Sequence, residues 1–347
     1  MKRKEFGSEF HYPIHSKWLL KESDESFFSS KKFSFHFSGR SALYTLVSEG
    51  IQTKGWKNLY FPSYYCHEVV AFLKDLPINI HYFNFNPFLD TKIPFQEIKD
   101  DPTSVLVQVS FFGVKSIDLS SIKKATILED YSHNLLALKE SKADYCFGSL
   151  RKELPIPVGG FCYAQNHSLA QSNSNKKAED VANEKLKAML LKEQYLRGEI
   201  ENKEGYRTLF QKAEEDFEKK YTNTKLPESA TKILHTFHVS KILKQKHENV
   251  EEALKILGDI PNVSFNLDTK DANPFGLILN LTSNKSREAL KTYLIKNNIF
   301  PAVLWPNQVN KNDQETEKCI LFIHLDFRYT TKEVTFVANK IKAFFNE

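Results

Sequence analysis

From Ser38 to Ala164 the chain alternates short apolar runs with stretches of helical period. The runs are Leu59–Phe61, Ile78–Phe83, Val105–Val109, Thr126–Leu128, Tyr145–Gly148 and Phe161–Tyr163. Between them Leu43, Leu46 and Val47 recur at i, i+3 and i+4, and His67 to Leu76 has the spacing of an amphipathic helix. A strand that returns through a helix runs parallel to its predecessor, so this pattern predicts an α/β fold whose mainly parallel sheet is covered on both faces. Ligands of such sheets bind outside the carboxyl ends of the strands. The chemically suggestive residues of this chain fall there.

The 347 residues suit two domains. Ser172 to Lys177 is a polar, turn-rich break, followed by two helical stripes. Ala178, Val181, Ala182, Leu186, Met189 and Leu190 form one, and Tyr206, Phe210, Ala213 and Phe217 the other. This insertion, about residues 176–222, either covers the site, packs on a partner subunit, or is a surface hairpin. From Ile233 the pattern becomes α+β. Leu277–Leu281, Ile299–Leu304 and Ile320–Leu325 read as strands, and Ser286–Lys296 and Lys332–Phe345 as helices. The expected division is an N-terminal segment (1–30), a large domain (31–232) and a small C-terminal domain (233–347).

Basic and acidic residues nearly balance, 48 against 43, and are interspersed, which argues against a nucleic-acid surface. Cys66, Cys146, Cys162 and Cys319 include no CxxC pair, and they read as reduced thiols of a cytoplasmic protein. No metal site is expected. No signal peptide is apparent, and no window approaches the roughly 20 apolar residues of a membrane span.

Lys152 carries the strongest chemical signal. An amine attacks an aldehyde only when neutral, and burial beside apolar or cationic groups lowers its pKa. Ser149, three residues earlier, is placed to donate to a phosphate, and Gly159-Gly160 lets the chain return close beneath the lysine. Asp130 ends an apolar strand and either caps the next turn or pairs with a pyridine nitrogen. His133 either reaches the hydroxyl or face of such a ring or is a satisfied core histidine. Ser38-Gly39-Arg40-Ser41-Ala42 opens a helix whose first N–H groups suit an anion, with Arg40 adding charge if it turns inward. Tyr64 and Tyr65, before Cys66, either stack on a planar ring or fill the core. No Gly-x-Gly-x-x-Gly follows the first strand, which argues against a nicotinamide dehydrogenase.

Ser149-Leu150-Arg151-Lys152 followed by Pro155-Ile156-Pro157-Val158-Gly159-Gly160 resembles a divergent branch of the DegT/DnrJ/StrS sugar aminotransferases, enzymes dependent on pyridoxal 5'-phosphate. The starts at Gly39, Pro62 and Glu129 follow in family order and spacing. Weaker likeness continues through Ile299–Pro306 and Asp326–Tyr329, so it touches most of the chain outside the insertion.

The resemblance implies a fold-type I transferase, with a mainly parallel seven-stranded sheet in the large domain and a smaller α+β domain. It implies that Lys152 anchors the cofactor covalently and moves the proton, that Asp130 partners the ring nitrogen, and that His133 lies beside the ring hydroxyl. Gly39, Arg40, Ser41 and Ala42 would hold the phosphate with Ser149. Cys66 stands where the family has its stacking aromatic, leaving Tyr64 or Tyr65 as substitutes, and Phe147 stands where better-known members have a phosphate serine. A glutamate-like donor, a keto-sugar acceptor (free or nucleotide-linked) and a homodimer with its site at the subunit interface are also implied. Arg328 either binds a substrate carboxylate or forms an ion pair with Asp326 or Glu333. Elimination or dehydration would use the same anchor, although dehydratase relatives lack the lysine. A catalytically degenerate relative would keep the fold for binding or assembly.

Overall fold

The computed structural model describes residues 4–15, 25–28, 32–90, 92–165, 169, 172–265 and 272–346. The remainder of the expected N-terminal segment lies outside the described residues. In chain order the first part comprises β1 (Phe6–Gly7), β2 (Ser34–His36), α1 (Gly39–Lys54), β3 (Asn58–Pro62), α2 (His67–Ala71) and β4 (Asn79–Phe83). It continues with β5 (Ser104–Phe111), β6 (Lys115–Ser116), β7 (Thr126–Asp130), β8 (Tyr145–Ser149) and β9 (Gly160–Ala164). The helices α3 (Lys176–Arg197) and α4 (Glu204–Phe217) form the insertion. There follow α5 (Glu228–Leu234), α6 (Val239–Leu257), β10 (Val263–Phe265), β11 (Leu277–Leu281), α7 (Asn284–Lys296), β12 (Ile299–Phe300), α8 (Lys311–Cys319), β13 (Ile320–Ile323) and α9 (Thr331–Asn346).

The large sheet has the order β2-β9-β8-β7-β5-β3-β4, with β6 beside β5. From β8 to β4 the pairing is parallel; β9 and β2 close one edge antiparallel. Burial on both faces explains the largely apolar sequence of β5, where Val105, Leu106, Val107, Val109 and Phe111 are all buried. Parallel strands end on a common edge, so Asp130 of β7 and Ser149 of β8 emerge together. The β9 start pairs with the ends of both β8 and β2, Ser149 with Gly160 and His36 with Gly160. The N-terminus of α1 is thereby delivered to the same edge.

A second sheet, β10-β11-β13, is antiparallel and packs under α6, α7 and α9 through Leu279, Leu290, Leu294, Leu321, Val337 and Ile341. The strand expected over 299–304 is only Ile299–Phe300, and it pairs in parallel with β1 rather than with this sheet. Pro301 has no N–H to continue a ladder, so the chain leaves after two residues. A single bridge from Ala302 to Phe322 follows, then a cis peptide bond between Leu304 and Trp305. The helix expected over His67–Leu76 ends at Ala71 and continues as three-residue turns, Val70 to Leu73 and Leu73 to Leu76. Pro77 disfavours helical backbone at the residue before it.

Among the described residues no helix is long and apolar enough to cross a membrane.

Candidate active site

The common strand edge opens into a cleft of about 650 Å3, its mouth included, between the large sheet and the segment around Trp305. Gly39, Arg40, Tyr65, Asp130, His133, Ser149 and Lys152 all line it. The sheet order brings Gly39 and Lys152, 113 positions apart in sequence, to one cavity.

Lys152 sits on the short turn Leu150–Lys152 that follows β8. Among the described residues its amine has no hydrogen bond and no ion pair. Burial pushes its pKa down and the adjacent Arg151 guanidinium adds to this, while Cys66, Glu9 and Glu214 oppose. A lowered pKa raises the fraction of neutral, nucleophilic amine. The Arg151 guanidinium pairs with Glu214 at 3.1 Å and lies 4.2 Å from the centre of the Phe217 ring.

Asp130, at the end of β7, is buried. The Tyr65 hydroxyl donates to Oδ2 at 2.6 Å, and the Ser132 amide donates to Oδ1 at 2.8 Å. Burial raises its pKa, and these donors work against that rise. His133 lies between two aromatic planes, Phe275 at 4.1 Å and 7° and Trp305 at 5.3 Å and 16°. Burial first, and then the positive charges of Lys152, Lys246 and His324, hold its pKa well below the usual imidazole range. It is therefore a neutral ring.

The start of α1 is shaped by contact. Ser38 is extended (φ −149°, ψ 165°) and its hydroxyl accepts from the Ser41 amide at 3.1 Å. A Cβ on Gly160 would fall 2.2 Å from the Ser38 carbonyl carbon, so only glycine lets β9 pass so close beneath. A Cβ on Gly39 would stand 3.1 Å from Ser149 Cβ, filling the space between the helix N-terminus and the Ser149 turn. Ser41 and Ala42 support this turn from behind: the Ser41 hydroxyl donates to the Tyr221 carbonyl at 2.6 Å, and Ala42 is in the core. The Arg40 guanidinium is held by Glu218 at 2.6 and 3.0 Å.

Tyr64 lies behind the wall, fully buried, with its hydroxyl donating to the Leu304 carbonyl at 2.7 Å. Arg328 is away from the cleft. It forks onto Asp326 at 2.8 and 2.7 Å and stacks on Phe10 at 4.5 Å, the ion-pair alternative of the two read from the sequence.

Trp305, Phe217 and Glu218 are among the cleft residues that the sequence did not single out. Phe217 appeared only as the last member of a helical stripe, and Trp305 only within a weakly similar stretch. The insertion thus ends in the cleft wall, with Phe217 and Glu218 at its rim.

No protein-family model matches the chain, and no curated protein sequence matches it. Solved structures do. One is PseC of Helicobacter pylori, an aminotransferase involved in the biosynthesis of pseudoaminic acid, with TM-score 0.65, 15% identity and 99% of this chain covering 100% of that one. Another is the sugar aminotransferase CalS13 of Micromonospora echinospora, at TM-score 0.61 and 12% identity, covering 99% and 100% of the two chains. NtdA of Bacillus subtilis with bound cofactor PMP matches at TM-score 0.63 and 12% identity, covering 98% of this chain and 79% of that one. This chain has the sugar-aminotransferase fold. The mainly parallel sheet and the antiparallel strands β9 and β2 at its edge frame the cleft, with Trp305 on its other side.

Proposed function

We propose that this chain is a pyridoxal-phosphate-dependent aminotransferase that passes an amino group from a glutamate-like donor to a keto-sugar, free or nucleotide-linked. The observation that carries the reading is an amine, Lys152, without a hydrogen bond or ion pair among the described residues and facing the same cleft as the buried Asp130 carboxylate. The residues present fit the cofactor: the space at Gly39 and Ser149 is one that a Cβ would fill, next to the first N–H groups of a helix. The structural neighbours PseC and CalS13 support the same reading.

When bound, the cofactor would supply an electron sink that stabilises negative charge at the donor's α-carbon. Lys152 Nζ, its pKa lowered by burial and Arg151, would hold the cofactor aldehyde and later carry a proton to and from that carbon. Asp130 would keep the ring nitrogen protonated. Neutral His133, clamped by Phe275 and Trp305, would sit against the ring and its hydroxyl. Gly39 and Arg40 N–H groups and the Ser149 hydroxyl would bind the phosphate, with Ser41 and Ala42 bracing that turn. Tyr65 belongs to the cofactor wall, Tyr64 to its backing and Arg328 to the framework. Phe217 and Trp305 would exclude water from the rim.

The same proposal covers the division into an N-terminal segment, a large domain and a small one. It also covers a homodimer with shared sites, for which exposed Leu89 and Val309 offer apolar surface. Four cysteines, none of them in a disulfide, support a reducing, cytoplasmic setting.

The deciding experiment is a visible spectrum with added pyridoxal phosphate, on wild type and Lys152→Ala. A band that depends on the lysine is expected, and glutamate should bleach it with release of 2-oxoglutarate. No lysine-dependent band rejects the cofactor; a band that no amino acid changes rejects transamination.

A further inference from the structure

Tyr65 and Asp130 come from strands that are not neighbours. β5 lies between β3 and β7. Two strand spacings are about 10 Å, so a side chain starting just beyond β3 must be long to reach the end of β7. The Tyr65 hydroxyl does so, at 2.6 Å from Oδ2 of Asp130. The tyrosine cannot swing aside. Its ring packs on Phe61 at 5.3 Å and on Trp305 at 5.6 Å, and its carbonyl accepts from Gln308 Nε2 at 2.9 Å. Both Tyr65 and Asp130 are buried, where a carboxylate persists in its charged form only if donors hold it. Oδ1 has the Ser132 amide, and Oδ2 accepts from the tyrosine.

We propose that Tyr65 is a positioning residue: it acts through Asp130, holding that carboxylate in place as the partner of the cofactor's ring nitrogen. This rests on the cofactor reading above. It gives Tyr65 a task other than ring stacking. It also links Trp305 and Gln308, on the small-domain side of the cleft, to the electronics of the site, because they clamp the ring that carries the hydroxyl.

The test separates the hydroxyl's effect on the ring nitrogen from its effect on packing. Apo-protein is titrated with pyridoxal phosphate and with the 1-deaza analogue, in which C–H replaces the ring nitrogen. Wild type should prefer the natural cofactor by about tenfold or more, as expected of a charge-assisted bond. Tyr65→Phe should cut that preference about fivefold or more and move the affinity for the deaza analogue by less than about twofold. In an Asp130→Asn background the same substitution should leave the remaining preference unchanged. Equal weakening of both ligands by Tyr65→Phe, or an intact preference, overturns the role of Tyr65 while leaving the cofactor reading standing. Absence of a lysine-dependent band with either ligand on wild type overturns both. If Tyr65→Phe fails to fold, 3-fluorotyrosine at position 65, which keeps the shape and changes the acidity of the hydroxyl, takes its place. The preference must then still move, or the proposal falls.

Discussion

The Arg40 guanidinium grips the Glu218 carboxylate with two bonds, at 2.6 and 3.0 Å, and so ties the first turn of α1 to the end of the helical insertion. α4 carries Glu214, Glu215 and Asp216 near its C-terminus, where the helix dipole disfavours negative charge. Arg40, Arg151 and Lys185 offset that, with Arg40 on Glu218 and the other two on Glu214. Arg40 and Arg151, which line the cleft, therefore hold the insertion to it, while Lys185 pairs within the insertion.

Glu218 is half-exposed, so its pair with Arg40 should contribute no more than about 1 kcal/mol to stability. Its larger effect is expected on charge beside the proposed phosphate cradle. Glu218→Gln should leave the urea midpoint nearly unchanged and tighten pyridoxal-phosphate binding by about threefold at low salt, an effect that fades as salt screens it. An unchanged affinity at low salt would mean that the Arg40 charge does not reach the cofactor phosphate.

Arg151 lies beside Lys152 and lowers its pKa; Glu214 opposes. Removing a like charge makes protonation of the lysine easier. Arg151→Gln should therefore raise the lysine pKa and shift the pH profile of pyridoxal-phosphate capture toward higher pH, by about half a unit to one unit. Glu214→Gln should shift it the opposite way. Stopped-flow capture rates across pH 6 to 10 on the three proteins check both directions.

Much of this architecture was legible in the chain. The alternation from Ser38 to Ala164 foretold the sheet, because strands buried on both faces are written as plain apolar runs, as in β5. Asp130, Ser149 and Lys152 were legible as strand-end residues. Trp305 was not: the strand expected over 299–304 stops at Phe300, and only tertiary contact brings the indole against His133 and Tyr65. Nor was the commitment of Arg40 to Glu218, 178 residues away, since an arginine beside a helix start suits an anionic ligand and a carboxylate equally well. Helical period located the insertion but carried no information on which of its residues would meet the cleft.

Glu153, next to Lys152, is fully buried and forms an ion pair with Lys246 of α6, also buried. Its Oε2 accepts from the Leu135 amide at 2.6 Å. Breaking one side strands the other charge, so Lys246→Met should destabilise the protein by about 3–5 kcal/mol in urea unfolding. The double replacement Glu153→Gln with Lys246→Met should recover most of that loss, because an amide can still accept from Leu135 without a stranded charge. Additive losses would show that the pair is not what holds the two elements.

Arg328 is a strut, and the N-terminal segment is what it supports. Its Nη1 donates to the carbonyls of Gly7, Ser8 and Glu9 at 3.4, 3.4 and 3.2 Å while its other nitrogens fork onto Asp326. Arg328→Ala should therefore raise amide exchange in residues 5–12 and destabilise the fold by about 3 kcal/mol, the buried Asp326 charge being left without its partner. Burial raises the Asp326 pKa, but Arg328 outweighs it and holds the carboxyl below its ordinary value. A depressed folded-state pKa means that the stabilisation is fully present above the unfolded carboxylate range, near pH 4, and is lost as pH falls through the lowered value. Asp326→Asn should accordingly be less stable than wild type at pH 7, and the two should converge as pH is taken down toward 2. A gap that stays constant across that range in chemical denaturation would show that Asp326 stabilises the fold through packing alone.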